Sequence, residues 1–301
     1  MHLIKFSTSS TKYYPIELEL YMKKTHKLPQ FRLENSNGEF CYLAICPACN
    51  NPVQIINLYR TAKNTDKPYG KHIPKTIPHL AHYNEVAYLC CPYRAKKIKL
   101  DKSERRNPSD FDEGIVHNLV YHFDKIIYFF EQKVGIKVSE SLAKTLLKDF
   151  FAHRVYRYVG THSLNLPIMI MYFLGRQRLI GRKVSNVELC HAIEDFTQID
   201  EKTKKLTLKG HKFCDIGFSF RNHKRHVMDN EFIESILLEI TLTDGSTENT
   251  DVLYKQKITL DSQYIANLYN YEPRLPEWVK ERNATLIALA KQVALSYGFN
   301  V

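Results

Sequence analysis

The amino-acid sequence lacks any hydrophobic run long enough to cross a membrane. Its densest apolar stretch covers only residues 166–174, around Pro167, whereas a membrane-spanning helix needs about 20 apolar residues. The beginning of the chain also lacks the apolar segment of a signal peptide, because Leu3 and Ile4 run directly into Lys5 and a stretch rich in serine and threonine. These absences argue against membrane insertion and secretion, and they predict a cytoplasmic protein without a membrane partner.

The short signatures of several enzyme classes are missing as well. The chain contains no Gly-x-x-x-x-Gly-Lys-Ser/Thr, no Gly-x-Gly-x-x-Gly, no His-Glu-x-x-His and no Gly-x-Ser-x-Gly. In other proteins these signatures cradle phosphates, bind dinucleotides, hold a catalytic zinc ion and present a nucleophilic serine, respectively. Their absence argues against the ATPase, dehydrogenase, zincin and esterase classes.

The cysteines favour metal binding over disulfide bonds. There are seven of them, an odd number in a chain without an export signal, so reduced thiols are expected. Cys46 and Cys49 are separated by two residues, a spacing that directs both thiolates at one zinc ion. The candidates for the other two ligands are one of His72, His79 and His82 with Cys91, or the neighbours Cys90 and Cys91.

Among these sets, the sequence favours one with three cysteines and one histidine. Adjacent cysteines seldom both reach one ion, so we predict that zinc is bound by Cys46, Cys49, His72 and Cys91. A site closed by four protein ligands leaves no position for a reactive water molecule. The predicted zinc is therefore structural.

The excess of positive charge indicates a polyanionic partner. Lysine and arginine number 43 against 32 acidic residues, which gives a formal net charge of +11. Clustered cations displace counterions from phosphate backbones, so nucleic acid, RNA or DNA, is the expected partner. One basic stretch precedes Asn107 and Pro108, and from it we predict five nucleic-acid-binding residues: Arg94, Lys96, Lys97, Arg105 and Arg106.

The hydrophobic periodicity predicts an α+β protein that begins with a zinc-ribbon-like β module over residues 1–107. Alternation with period two predicts strands at residues 16–22, 40–45 and 53–59, the second of which leads directly into Cys46. Pro68, Gly70, Pro74 and Pro78 predict an irregular loop over residues 61–78.

Residues 108–301 are predicted to form a helical bundle that carries a small antiparallel sheet and ends in a helix. Apolar residues recur every three or four positions after the capping-box spacing of Ser109 and Asp112. Further helix starts are predicted at Ser139, Asn165 and Ser185, and a final helix at residues 278–297. Alternation around residues 216–220, 236–242 and 254–260 predicts a three-stranded meander with a turn at residues 244–245.

Residues 221–226, Arg-Asn-His-Lys-Arg-His, fit the pattern Arg-Asn-x-x-x-His. This pattern resembles the active-site motif of the HEPN ribonucleases of toxin and phage-defence systems. The resemblance implies a metal-independent ribonuclease with Arg221, Asn222 and His226 as catalytic residues: the arginine would bind the scissile phosphate, the histidine would act as general acid or base, and the asparagine would orient them. The alternative interpretation is a basic hairpin loop that contacts phosphates without cleavage, formed by Arg221, His223, Lys224, Arg225 and His226.

The block from Cys46 through His72 to Tyr93 is similar to N-terminal blocks of uncharacterised bacterial proteins, a resemblance that implies no function. Three functional hypotheses follow from the sequence. The first is a zinc-stabilised nucleic-acid-binding protein, an accessory or phage-defence component in bacteria. The second is a HEPN-like ribonuclease that uses Arg221 and His226, and the third is a zinc-stapled interaction subunit of a larger protein complex.

Overall fold

The computed structural model describes residues 1–34, 37–59, 67–94, 100–210, 214–228, 231–244 and 250–301. The chain has the predicted α+β architecture, with a β module that carries a Cys/His cluster in its N-terminal region. Its helices are α1 (Leu18–Thr25), α2 (Glu85–Leu89), α3 (Asp110–Tyr121), α4 (Phe123–Val134), α5 (Glu140–Ala152), α6 (Leu166–Tyr172), α7 (Val187–Ala192), α8 (Ser262–Asn270) and α9 (Glu277–Ser296). Its strands are β1 (Leu3–Ile4), β2 (Tyr14–Pro15), β3 (Arg32–Glu34), β4 (Phe40–Ile45), β5 (Pro52–Ile56), β6 (Tyr69–His72), β7 (Gln177–Arg178), β8 (Thr197–Ile199), β9 (Leu206–Leu208), β10 (Cys214–Met228), β11 (Glu231–Asp244) and β12 (Thr250–Asp261).

The N-terminal module is built on an antiparallel sheet with the strand order β3-β4-β5-β6. The strands predicted at residues 40–45 and 53–59 correspond to β4 and β5. The irregular loop predicted over residues 61–78 is wrong in part, since β6 pairs with the open edge of β5. Gly70 of β6 allows the start of the chain to approach closely, because a Cβ atom there would lie only 3.0 Å from the Met1 side chain.

The strand predicted at residues 16–22 is wrong, because this segment forms α1. Its residues are good helix formers, with leucine, glutamate, methionine and lysine in the majority. The buried residues are Tyr21 and Thr25, four positions apart and therefore on one face of the helix. The Tyr21 hydroxyl lies within hydrogen-bond distance of the carbonyl oxygens of Phe31 and Leu43 and so fixes the helix against the sheet.

The long helix predicted after Ser109 forms with its capping box, but it breaks at His122 into α3 and α4. Ser139 caps α5 as predicted, whereas Asn186 rather than Ser185 caps α7, by accepting from the Leu189 amide. Helix α9 packs across α3, α4 and α5. No helix in the described part of the chain combines the length and the apolar character that crossing a membrane requires.

The predicted meander is confirmed in a sheet with the order β12-β11-β10-β7. Ile216, Phe218 and Phe220 of β10 are buried, and α6 packs against β10 and β11. The turn predicted at residues 244–245 includes Gly245, which lies outside the described residues. The buried apolar side chains form one contiguous core that continues across the predicted domain boundary near residue 108.

Candidate metal centre and cationic surface

The four residues predicted to bind zinc lie together in the structure. Cys46 directly follows β4, Cys49 lies in the next turn, His72 ends β6, and Cys91 follows α2. Their ligand atoms all lie within 4.8 Å of one another, and the three cysteines are buried. Among the described residues, this is the only group of three or more cysteine, histidine or acidic side chains with such geometry.

The distances between the ligand atoms match a tetrahedral zinc site. The sulfur atoms of Cys46 and Cys91 are 3.7 Å apart, and the Nε2 atom of His72 lies 3.3 Å from the sulfur of Cys49 and 3.6 Å from that of Cys91. With metal–sulfur bonds of about 2.3 Å and metal–nitrogen bonds of about 2.0 Å, the edges of the ligand tetrahedron are about 3.5–3.8 Å long. The residues present therefore fit zinc, and no displacement of backbone is needed to bind it.

A tight turn presents Cys46 and Cys49 to the same point. The amide of Cys46 donates to the carbonyl oxygen of Asn51 at 2.8 Å, and the amide of Asn50 donates to that of Cys46 at 3.0 Å. Asn50 has a φ of 57°, in the left-handed region that asparagine tolerates better than most residues. The local sequence is therefore suited to the turn that a two-cysteine ligand pair needs.

Asn51 and Asn84 connect this turn to the helix that precedes Cys91, and the sequence analysis missed both. The Asn51 amide group donates to the sulfur of Cys49 at 3.3 Å and to the Asn84 carbonyl oxygen at 3.0 Å, while its own oxygen accepts from the Asn84 amide at 2.7 Å. Asn84 also caps α2 by accepting from Ala87. Such second contacts orient metal ligands. An asparagine two residues after the second cysteine was the available sequence signal.

The electrostatics of the cluster favour one shared thiolate. Burial raises the pKa of Cys46, but hydrogen bonds from Cys49, Cys91 and His72 outweigh it and hold the pKa well below the usual thiol value. Burial and the neighbouring sulfur atoms raise the pKa values of Cys49 and Cys91 well above that value. Zinc binding would therefore displace protons from these two thiols.

A buried lysine lies beside the cluster. Lys5 is fully buried, and its ammonium group donates to Asn50 Oδ1 at 2.9 Å and to the Thr8 carbonyl oxygen at 3.1 Å. Burial lowers its pKa to about 8, against the opposing effect of Cys46 and Cys49. Three thiolates and one divalent cation would leave one negative charge, which a protonated Lys5 would compensate. A single lysine near the start of the chain gave no sequence signal for this role.

The other candidate ligands lie outside the cluster. His79 and His82 are exposed and line a cleft of about 760 Å³ between the N-terminal module and α3. Cys90 is the C-cap residue of α2 and is half-buried. The side chains of the adjacent cysteines therefore point in different directions, and only that of Cys91 lies next to Cys46 and His72.

Residues 221–226 lie inside strand β10 rather than in a hairpin loop. A bulge between Arg221 and Lys224 shifts the pairing with β11 by one residue, and Asn222 has a φ of 56°. Arg221, Lys224 and His226 are exposed, whereas the side chains of His223 and Arg225 are 1% and 10% exposed. The motif of the HEPN resemblance is therefore spread along one strand, where four to five steps of about 3.3 Å place Arg221 about 13–17 Å from His226.

The side chains of His223 and Arg225 bind Glu234, a fully buried carboxylate of β11 that the sequence analysis missed. Glu234 accepts four hydrogen bonds, from His162 Nε2 at 2.9 Å, Asn165 Nδ2 at 2.7 Å, His223 Nε2 at 2.8 Å and Arg225 Nε at 2.7 Å. Burial raises the pKa of Glu234, but Arg225 and the two histidines hold it well below the usual carboxyl value. The nitrogen atoms that His223 and Arg225 direct at Glu234 are therefore occupied within the protein. Both residues had been predicted to contact nucleic acid, and both side chains are largely buried.

The predicted basic stretch is divided between the interior and the surface. Arg106 is buried and pairs with Asp112 at 3.5 Å, so it too has an internal role. Arg94 is half-buried, with its guanidinium group 5.5 Å from the centre of the Tyr88 ring. Lys96 and Lys97 lie outside the described residues.

Arg105 belongs to a group of cations that we name the cationic surface: Lys102, Arg105, Arg154 and Arg221. Burial lowers the pKa of Lys102, and repulsion from Arg221 and Arg105 lowers it further. Burial likewise lowers the pKa of Arg105, with a further contribution from Arg154. Like charges are therefore close enough here to repel one another.

Two aromatic side chains hold this group in place. The ammonium nitrogen of Lys102 lies 4.3 Å from the centre of the Tyr172 ring and 5.0 Å from that of Phe173, and it donates to the Tyr172 carbonyl oxygen. The guanidinium group of Arg105 lies 5.1 Å from the Phe173 ring centre and donates to the His153 carbonyl oxygen. Cation–π contacts and carbonyl oxygens thus stabilise the positive charges of Lys102 and Arg105 beside one another.

The sequence matches no protein-family model, and comparisons with curated proteins and with solved structures find no match.

Proposed function

We propose that the protein is a zinc-stabilised nucleic-acid-binding protein whose cationic surface contacts phosphate groups. The observation that carries this proposal is that Lys102 and Arg105 lie against the same ring, 5.0 and 5.1 Å from the centre of Phe173, with Arg221 close enough to repel Lys102. Mutual repulsion is unfavourable in the free protein and is relieved when a polyanion binds. Only Arg221 of this group forms an ion pair with a described carboxylate, to Glu239 at 3.2 Å.

The zinc centre supports the proposal as a source of rigidity. The ion would join the Cys46 turn, the end of β6 and the segment after α2, and so fix the module from which the chain continues to Lys102 and Arg105. All four ligands are protein side chains, so the ion supplies folding energy rather than a reactive water. A place in bacterial phage defence stays a prediction from the resemblance of residues 221–226 to the HEPN motif.

The test measures the salt dependence of binding. Fluorescence anisotropy with labelled single-stranded RNA, single-stranded DNA and duplex DNA gives the affinity over a range of salt concentrations. Each phosphate contact contributes about 0.7 to the slope of log K against log salt for single strands. The triple variant Lys102→Gln, Arg105→Gln, Arg221→Gln should therefore reduce the slope by about 2.

The control removes the same amount of charge elsewhere. Lys144, Lys148 and Lys291 are exposed on α5 and α9, and their replacement by glutamine should leave the slope nearly unchanged. An equal loss in both triple variants would indicate a non-specific effect of net charge. Affinity that does not fall with salt would instead favour the interaction subunit of a protein complex.

The same RNA tests the ribonuclease hypothesis. Cleavage by the wild-type protein that is lost in His226→Ala, with affinity retained, would assign catalysis to this residue. His226 is exposed and outside the Glu234 network, so this substitution should not disturb folding. Intact RNA in both proteins, with binding that depends on the cationic surface, would establish a binding protein.

A further inference from the structure

The N-terminal module carries a second surface with the properties of a binding site. A pocket of about 230 Å³ opens between α1, the following turn and the sheet edge formed by β3 and β4. Its lining is mainly aromatic and aliphatic: Tyr21, Met22, Thr25, Lys27, Leu28, Phe31, Arg32, Phe40, Tyr42 and Tyr59. The volume exceeds that of a nucleobase. We name this feature the aromatic pocket.

The floor of the aromatic pocket is rigid. Tyr21 is buried, and its hydroxyl oxygen lies within hydrogen-bond distance of the carbonyl oxygens of Phe31 and Leu43, at 2.6 and 2.8 Å, and accepts from the Leu43 amide at 3.2 Å. These contacts fix the Tyr21 ring between α1 and the sheet. The pocket is therefore formed before a ligand arrives, which reduces the entropic cost of binding.

Two half-exposed rings stand at the mouth of the pocket. Tyr59 is 50% exposed and Phe40 is 44% exposed. Tyr59 rests on Tyr42, with ring centres 4.8 Å apart, and its hydroxyl contacts the sulfur of Met22. The guanidinium group of Arg32 lies 4.9 Å from the centre of the Phe40 ring. Tyr59 is thus oriented by Tyr42 and Met22, and Phe40 by Arg32, while about half of each side chain faces solvent.

The charge at the pocket is positive. Lys27 and Arg32 line it, and none of its described lining residues is acidic. Two successive left-handed residues, His26 and Lys27, end α1 and turn the chain so that Lys27 lies at the pocket. One carboxylate lies nearby, since Glu34 faces Phe40 across the pairing of β3 with β4.

We infer that the aromatic pocket binds an unpaired nucleobase of a single-stranded nucleic acid. Bases stack on aromatic side chains without strong sequence preference, and flanking cations bind the backbone phosphates on either side. Tyr59 and Phe40 would provide the stacking surfaces, and Lys27 and Arg32 would contact phosphate. This inference rests on the proposed nucleic-acid binding, and it narrows the substrate to single strands.

The test compares a normal oligonucleotide with an abasic one. Wild-type protein should bind a labelled 15-nucleotide RNA more tightly than an abasic chain of the same length and charge. Tyr59→Ala and Phe40→Ala should each weaken binding of the normal RNA about fivefold or more, and neither should change binding of the abasic chain. Tyr59→Phe should retain the wild-type affinity. The matched controls are Tyr271→Ala and Trp278→Ala, which remove aromatic side chains that are 64% and 68% exposed elsewhere.

A local reporter makes the result specific to this site. Met22 lines the pocket, and its ¹³C-labelled methyl group should shift in the NMR spectrum on addition of the normal RNA and not of the abasic chain. The inference is overturned, with the proposed function intact, if both ligands bind equally well or if the two alanine variants bind like the wild type. An extended peptide of alternating valine and lysine serves as the probe for a protein ligand. If this peptide shifts the Met22 methyl signal and RNA does not, the pocket binds an extended segment of another protein and the inference is overturned. Absence of binding to any nucleic acid would remove both proposals.

Discussion

Exchanging Cys91 for serine tests the zinc centre most sharply, because the neighbouring Cys90 supplies a matched control. Cys91 lies 3.7 Å from the sulfur of Cys46 and 3.6 Å from His72 Nε2, whereas Cys90 is outside the group of ligands. We expect the purified wild-type protein and Cys90→Ser to contain one zinc ion per chain. Cys91→Ser should contain less than one tenth of that amount.

The expected loss of stability follows from the burial of the ligands. Without the ion, three buried cysteines and His72 have mainly one another as partners, and each poorly satisfied polar group costs about 1–3 kcal/mol. The larger loss is that of zinc binding itself, which contributes about 10–16 kcal/mol of apparent free energy in zinc-finger peptides and is of the order of the whole stability of a typical domain, about 5–15 kcal/mol. Cys91→Ser should therefore lose the N-terminal module, while Cys90→Ser should change the free energy of unfolding by less than about 1 kcal/mol.

Two measurements check this prediction. Elemental analysis gives the zinc content, and hydrogen exchange followed by mass spectrometry reports on β4, β5 and β6 separately from α3–α5. In Cys91→Ser the amides of the three strands should exchange rapidly while those of the helices stay protected. Zinc retained in Cys91→Ser, or lost equally in Cys90→Ser, would refute the ligand assignment. The same comparison of His72→Ala with His79→Ala tests the nitrogen ligand.

Two further predictions concern buried polar groups. Glu234→Gln leaves the Arg225 guanidinium group buried without its carboxylate, so the free energy of unfolding in urea should fall by about 3 kcal/mol or more; a change below about 1 kcal/mol would show that the network contributes little. Burial lowers the pKa of His122 to about 3, so between pH 6.5 and pH 3 the unfolded chain binds a proton that the folded protein does not. Stability should therefore fall by about 1.4 kcal/mol per pH unit below pH 6 because of this one residue. His122→Gln should reduce that slope, and an unchanged pH profile would contradict the assignment.

The sequence was sufficient where a local signal determines the structure. The capping box of Ser109 and the cap at Ser139 predicted two helices, and period-two alternation predicted the meander strands. The two-residue spacing of Cys46 and Cys49 predicted the turn of the metal centre. Such signals involve residues that are close together in the sequence, so they can be recognised without knowledge of the tertiary fold.

The sequence could not predict the features that depend on contacts between residues far apart in the chain. Residues 16–22 alternate like a strand, but Tyr21 is fixed by carbonyl oxygens that only the folded sheet supplies. The placement of His72 depends on β6, which forms because β5 offers an open edge and Gly70 admits the Met1 side chain. Glu234 gave no signal because two of its four donors, His162 and Asn165, lie 72 and 69 residues away along the chain, and the other two, His223 and Arg225, lie on the neighbouring strand.

One bulged residue determines which basic side chains of β10 face solvent. Phe220 points into the core, so strict alternation would bury the side chains at positions 222, 224 and 226. The bulge at Asn222 shifts this order by one, which brings His223 and Arg225 to Glu234 and leaves Lys224 exposed. Asn222 is uncharged, yet it thus determines which basic side chains of β10 form internal ion pairs and which face solvent.

The left-handed conformation of Asn222 makes this dependence testable. Glycine adopts a φ of 56° freely, so Asn222→Gly should keep the bulge and change the free energy of unfolding by less than about 1 kcal/mol. Valine is strained by about 1–2 kcal/mol in that conformation, so Asn222→Val should destabilise the protein by at least this amount. Deletion of Asn222 removes the extra residue of the bulge and keeps Arg221 opposite Leu237 and Lys224 opposite Ser235, so Lys224 should stay exposed and Arg225 should still reach Glu234. Urea unfolding of the three variants gives their free energies of unfolding, and an Asn222→Val variant as stable as Asn222→Gly would show that the left-handed conformation at this position does not limit stability.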